Sequence, residues 1–283
     1  MAQPSLYLVG TPIGNLEDIS LRALRILKEV DLIACEDTRQ TVKLLNHYGI
    51  QTRTVSYHEH NELTRSAELI MHLEQGKSIA VVTDAGMPGV SDPGFRLTAL
   101  AVRHKILVVP IPGASAFLSA LVASGMPTDA FVFRGFLPSK LGQRRKLLEE
   151  IQRSPLTQIF YEAPHRLLGT LEDIVEVLGA QRHVVVAREV TKLHEEFVRA
   201  TASEALESFR KRDEVRGEIT LLVGRAEEQK GIPAVAQKNA RTRVRELMKS
   251  EEIDEKEAMK RVAREMGISK SDVYRQLQKG GKK

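Results

Sequence analysis

The chain of 283 residues is 42% hydrophobic and carries 42 Lys and Arg against 37 Asp and Glu, a net charge of +5, enough for one large or two modest domains with a sizeable core. Its longest apolar runs, such as "ILVVPI" at 106–111, fall far short of the roughly 18 residues that a membrane span requires, and no basic leader with a long apolar segment opens the chain. Cys35 is the only cysteine, so an intramolecular disulfide is excluded and a cytoplasmic location is the expectation, with no membrane association.

In chain order, the first apolar run is "LYLV" at 6–9, followed by the small-residue turn "GTPIGN" at 10–15. That turn lacks the G-x-G-x-x-G spacing, and G-x-x-x-x-G-K-[ST] occurs nowhere, so NAD and nucleoside triphosphates are disfavoured. "DLIAC" at 31–35 leads into the charged "EDTR" at 36–39, and "HEHN" stands at 58–61. His58, Glu59 and His60 are weighed as metal ligands, but alternate residues of a strand face opposite sides and no Cys supports them, so no metal is expected. "SIAVVTD" at 78–84 runs into "AVVTDAGMPGVSDPGF" at 80–95, with three glycines, two prolines and two aspartates. Such a loop is costly to order and longer than a connection needs, which points to a ligand lying on it. Its carboxylates would repel phosphate, so a neutral or cationic ligand fits better. Asp84, at the strand end, is expected to touch that ligand, whereas "SDPG" reads as a helix N-cap at Asp92 with Pro93 at the first helical position. "ILVVPI" ends in "PGASA" at 112–116, and a helical pattern over 114–124 closes at Gly125 and Pro127.

A second series follows: "AFVFRGF" at 130–136, "TQIFYEA" at 157–163, "HVVVARE" at 183–189 and "GEITLLVG" at 217–224, with an antiparallel strand expected near "HEEFVRAT" at 194–201. Apolar runs alternating with helical patterns predict an α/β fold with mainly parallel sheets, divided into residues 1–124 and 125–226. In open sheets of this kind ligands bind outside the carboxyl ends of the strands, where the glycine loops and the charged pairs "EAPHR" at 162–166 and "REVTK" at 188–192 fall. A linker at 227–234 leads to a tail, 235–283, with helical periodicity only. Residues 238–283 hold 14 Lys and Arg against 8 Asp and Glu, which leaves the rest of the chain near −1. The tail reads as a helix, a turn at Gly267 and a second helix with Ser269 and Asp272 at capping-box spacing, resembling a helix-turn-helix; a small bundle against the body or a partner subunit is the alternative.

Together "LYLVGTPIGNLEDIS", "EDTR", "TDAGMPGVSDPG", "PGASA" and "EAPHR" resemble the ribosomal RNA small subunit methyltransferase I family of the tetrapyrrole methylase superfamily, over residues 5 to about 224. Thr83 and Met87 stand where that family often has Ser and Thr. The resemblance implies two α/β domains of the tetrapyrrole methylase type flanking a trough for S-adenosylmethionine, a small C-terminal helical domain, and a homodimer. It implies 2′-O-methylation of a cytidine in the decoding region of small-subunit ribosomal RNA. By position it implies that Pro12, Ile13, Asp84, Ala85, Gly86, Val90, Ser115, Ala116 and Glu162 border the cofactor. Glu36, Asp37, His58 and Glu189 are then candidates to take the hydroxyl proton or orient the ribose, and Arg39, Arg166 and Lys192 to hold phosphates. Aromatic residues are only 5% and Trp is absent, so backbone contacts and RNA shape are expected to outweigh base stacking. The rivals are a small-molecule tetrapyrrole methyltransferase, disfavoured by "GTPIGN" and the basic tail, and a non-enzymatic nucleic-acid-binding regulator, which leaves the loops unexplained.

Overall fold

A computed structural model gives the fold and describes residues 4–226, 243–245, 247–248, 253–266 and 273–274. Residues 1–225 form one compact unit and 226–283 a second. The first unit holds two five-stranded sheets. Its strands in chain order are β1 (Ser5–Val9), β2 (Leu32–Cys35), β3 (Thr54–Ser56), β4 (Ile79–Val82), β5 (Leu107–Ile111), β6 (Phe131–Phe136), β7 (Thr157–Glu162), β8 (His183–Arg188), β9 (Glu196–Thr201) and β10 (Ile219–Val223). Its helices are α1 (Leu21–Glu29), α2 (Thr38–His47), α3 (Glu62–Glu74), α4 (Phe95–Arg103), α5 (Ala116–Ser124), α6 (Leu141–Ile151), α7 (Leu167–Leu178) and α8 (Ala202–Arg210). Among the described residues, no helix is long and apolar enough to cross a membrane.

The first sheet runs β3-β2-β4-β1-β5 and every pair in it is parallel. A parallel sheet is covered on both faces, which is why its central strands read as unbroken apolar runs. Ile33, Cys35, Ala80 and Val82 turn toward α1 and Leu45 of α2, whereas Leu32, Ala34, Ile79 and Val81 turn toward α3 and α4. β1 and β4 lie side by side, yet the chain leaves β1 toward β2 and leaves β4 toward β5. The sheet opens at such a point, and ligands bind there.

The second sheet runs β6-β7-β10-β8-β9, and only β6 and β7 are parallel, so the expectation of mainly parallel pairing fails here. β9 pairs antiparallel with β8 from His183–Thr201 to Arg188–Glu196, as anticipated for that segment. One face packs on α6, α7 and α8; the other receives Ala120 and Leu121 of α5 together with Ile13 from the loop after β1. Helix α5, "AFLSALVAS", is apolar around most of its circumference, as a helix lying between layers must be, and ends at Gly125 in the left-handed conformation.

The second unit contains a helix, Glu255–Met266, started by Asp254, whose carboxylate accepts from the Glu257 amide at 2.7 Å. Val244, Leu247, Ala258, Met259, Val262, Ala263 and Val273 form its apolar core. The linker at 227–234, the turn at Gly267 and the cap at Ser269 and Asp272 lie outside the described residues.

The loops after β1, β4 and β5 are locked together through backbone. Thr11 and Gly86 exchange two hydrogen bonds (2.9 and 3.2 Å), and the Gly10 amide donates to Ile111 O at 3.1 Å. A Cβ on Gly113 would lie 2.8–2.9 Å from Gly10 backbone atoms, and one on Gly10 would lie 2.7 Å from Met87 Sδ. Gly113→Ala must therefore push two loops apart and is expected to cost about 1–3 kcal/mol in urea denaturation, as overpacking does; a variant as stable as the parent would show that the loops do not bear on one another.

Candidate functional site

These loops form one wall of a cavity of about 370 Å³ whose other wall comes from the second sheet. That volume falls within the range of small-molecule sites, about 300–1,000 Å³. Ile13, Ala85, Gly86, Val90, Ser115 and Ala116 line it from the first lobe, and Tyr161, Glu162, Val190 and the segment 217–220 from the second. Gly86 sits at φ 85°, in the left-handed region that glycine enters without strain, and this lets its carbonyl turn back to Thr11 while its Cα stays open to the cavity. Pro12 and Asp84, also expected at the ligand, do not border the cavity. Asp84 instead accepts a hydrogen bond from the Asp37 amide at 3.2 Å.

The lining includes the carboxylates of Asp92, Glu162 and Glu218 and no Lys, Arg or His. Glu162 is committed internally. One oxygen accepts from the Ala163 amide (2.8 Å) and faces Arg166 at 3.3 Å; the other accepts from Thr170 Oγ1 at 2.6 Å. Arg166 also donates to Leu137 O at 2.6 Å, so it anchors this wall, in contrast to the phosphate-holding role expected of it.

Asp92 carries the main correction. The α4 N-cap is Gly94, and the helix begins at Phe95, so "SDPG" does not cap it with Asp92. Asp92 faces the cavity, where burial, followed by the charges of Glu36, Asp84 and Glu59, pushes its carboxyl up to about 7. Local chemistry could not reveal this, because Asp-Pro-Gly has the same signature whether the aspartate caps a helix or faces a cleft.

The charged candidates divide into two groups. Glu36, at the end of β2, is half-buried and raised, first by burial and then by Asp84. Asp37 caps α2 through the Arg39 amide at 2.8 Å and pairs with the Arg39 guanidinium at 2.7 Å, which holds it down to about 2. His58 is placed by Asn61, whose Oδ1 accepts from the His58 amide at 2.9 Å and whose Nδ2 lies 3.3 Å from His58 Nε2. Among the described residues, no group of three or more His, Cys, Asp or Glu is placed to hold a metal ion.

On the second lobe, Lys192 Nζ pairs with Glu189 at 2.9 Å and Glu218 at 3.3 Å. Burial lowers the Lys192 ammonium, but these two carboxylates outweigh it and the net shift is upward. Burial likewise raises Glu189, and the Glu218 amide and Lys192 reverse it to a net lowering. The pair is thus a locked ion pair, with neither member tuned to exchange a proton. The stem of Lys192 runs across Gly14 of the first lobe, where an added Cβ would meet Lys192 Cγ.

Residues 5–206 match the family model described as tetrapyrrole (corrin/porphyrin) methylases. The chain is 49% identical over 271 residues to the ribosomal RNA small subunit methyltransferase I of Halalkalibacterium halodurans, covering 95% of this chain and 93% of that protein. It is 45% identical over 277 residues to the protein of that name from Escherichia coli O157:H7, covering 97% and 94%. It is 49% identical over 218 residues to that from Thermotoga maritima, covering 77% of this chain and 97% of the relative. Among solved structures, the methyltransferase CobJ superposes with a TM-score of 0.60 at 20% identity, over 78% of this chain and 94% of that one. The native uroporphyrin III C-methyltransferase of Thermus thermophilus gives 0.54 at 20%, over 78% and 98%. At that identity these two show likeness of fold.

The raised carboxyl of Asp92 has a stability consequence. Its pKa rises from an ordinary 3.8 to about 7 in the folded protein, so the folded state favours the neutral form. The stability this contributes is full below pH 4 and is lost as pH rises to about 7. Asp92→Asn cannot ionise, so between pH 4 and 8 it should gain stability relative to the parent in urea denaturation; parallel pH profiles for the two proteins would contradict the placement of Asp92.

Proposed function

Because the chain belongs to the tetrapyrrole methylase family and, within it, to the ribosomal RNA small subunit methyltransferase I family, we propose that it transfers a methyl group from S-adenosylmethionine to the 2′-hydroxyl of a cytidine in the decoding region of small-subunit ribosomal RNA. The observation that carries the cofactor assignment is the cavity itself: enclosed between two lobes, lined by apolar side chains and carboxylates, and free of basic lining residues. Such a lining suits a ligand with a sulfonium and an ammonium and disfavours a phosphorylated one. When bound, the cofactor supplies an electrophilic methyl group.

Asp92 is the residue we assign to the cationic end, since a neighbouring positive charge favours its ionised form and offsets the burial that raises it. Ile13, Val90 and Ala116 exclude water, and Gly86 leaves room for close backbone approach. The ribose hydroxyl must lose its proton as oxygen displaces the methyl group in line. Glu36 is the member of the charged set we assign to accept it, because burial raises its carboxyl while Arg39 lowers Asp37, and the Glu218 amide with Lys192 lowers Glu189. Arg39, whose side chain is 86% exposed, remains accessible to RNA phosphates. The tail adds further basic charge, but the Thermotoga maritima relative is matched over nearly its full length by 77% of this chain, which supports placing the essential RNA contacts in the body. The working form in this reading is a cytoplasmic homodimer, whose second copy would cover exposed apolar side chains such as Leu107, Leu118 and Val122.

The test is transfer of tritiated methyl groups to small subunits from a strain lacking the protein, followed by mapping. Label on a decoding-region cytidine ribose is expected; label on another nucleotide or on a porphyrinoid alone overturns the reading. Cofactor affinity, measured by calorimetry, should rise as pH increases through about 7 with Asp92 ionisation, and the dependence should vanish in Asp92→Asn. Glu36→Gln should lower kcat by ~10²- to 10⁴-fold with cofactor affinity retained, and wild-type turnover in that variant would remove Glu36 from the proton step.

A further inference from the structure

The rim of the cavity carries a feature that cofactor binding leaves unexplained. Strand β6 pairs with β7 in regular register from Phe131–Thr157 to Phe133–Ile159, and the next pair is Phe136–Tyr161. β6 therefore advances three residues while β7 advances two, the signature of a bulge with one extra residue. Gly135 sits in it at φ 65°, a left-handed value that a side chain would strain. Strict alternation would send Phe136 to the face opposite Phe133. The bulge returns it to the same face, with its ring 5.6 Å from that of Tyr161, which lies 5.0 Å from Phe133, itself stacked at 4.3 Å on Phe117.

This row of rings runs from α5 to the cavity wall and ends on Phe136, which is 58% exposed. An aromatic ring re-aimed from one face to the other and then left in water forfeits the stabilisation that burying it would bring. On the facing rim, Ser91 is held at φ 62°, and its hydroxyl lies 3.1 Å from where a Cβ on Gly135 would be. Two left-handed residues on separate lobes thus approach one another beside the exposed ring of Phe136.

We propose that Phe136 is the stacking platform for the base of the nucleotide whose ribose is methylated, an inference that rests on the RNA-methylation reading above. A target ribose can reach an enclosed methyl donor only if its nucleotide is splayed from its neighbours, and an unstacked base seeks an aromatic partner. Phe136 offers it among the residues that border the cavity, with the Tyr161 ring packed edge-on against it. In a chain with 5% aromatics and no Trp, a single such platform reconciles sparse stacking with a defined landing site. Stacking tolerates any base, so Phe136 positions the nucleotide and leaves its identity to other contacts.

The test uses full-length Phe136→Ala, Phe136→Leu and Phe136→Trp, assayed for methyl transfer to undermethylated small subunits and titrated calorimetrically with S-adenosylhomocysteine. Ala and Leu should lower kcat/KM roughly 10- to 100-fold, the loss expected for one base–aromatic stack, while Trp restores it. Affinity for S-adenosylhomocysteine and thermal stability should stay at the parental level in all three, because the ring is exposed. If Leu matches the parent, or if S-adenosylhomocysteine affinity falls in step with activity because the ring stacks on the cofactor's adenine, the proposal is overturned. A parent protein that binds S-adenosylhomocysteine yet methylates no RNA would instead overturn the reading beneath it.

Discussion

The site depends on a place where no side chain is allowed. Gly10 and Gly113 face each other closely enough that a Cβ on either would meet the other's backbone, and Met87 Sδ closes on the same spot. Backbone-to-backbone contact of this kind fixes three strand-end loops with the precision of a ladder hydrogen bond, which the Thr11–Gly86 bridge then supplies. The open side of the loops is left free for a ligand. Without that contact the glycines of the loop after β4 would only add conformational entropy; with it, their freedom is already restricted before anything binds.

The second organising element is charge without compensation. Elsewhere in the unit, several carboxylates meet cations: Asp173 is buried between Arg144 and Arg145, and Glu196 is held down to about 2 by Arg212 and Arg188. At the carboxyl end of the first sheet the shifts run the other way: burial raises Glu36, Asp84 and Asp92, and a neighbouring carboxylate adds to each, Asp84 acting on Glu36, Asp37 on Asp84, and Glu36 with Asp84 on Asp92. Opposing shifts of this kind within one protein mark where electrostatics serve a ligand in place of the fold.

β2, β4, β8 and β10, buried along nearly their whole length, were legible because a continuous apolar run of that length has few other uses in a chain of this composition. β3 was not: "TVS" is three residues long and too short for any period to show. Nor could periodicity say that β10 would insert antiparallel between β7 and β8, since the pattern of one strand does not name its neighbour. Within the site, Ile13, Ala85, Gly86, Val90, Ser115, Ala116 and Glu162 were expected by resemblance, and all border one cavity. Asp92 was hidden behind a capping signature; the charged pair in "REVTK" was visible as a pair, and what stayed hidden was the positive φ of Glu189 and Thr191, which local sequence does not announce. The glycine inside "VFRGF" was the one available hint of the bulge on β6.

The passage of Lys192 over Gly14 has an evolutionary corollary. The two residues lie on different lobes, and a methyl group added at position 14 would displace the stem that carries the ammonium to Glu189 and Glu218. Position 14 therefore cannot drift ahead of position 192: shortening residue 192 first would open the space that a larger residue 14 needs, whereas the reverse order passes through a clashing intermediate. In a lineage descending from such a sequence the order of the two steps should be fixed by sterics, so that the cleft between the lobes carries a record of mutational history in two non-additive positions.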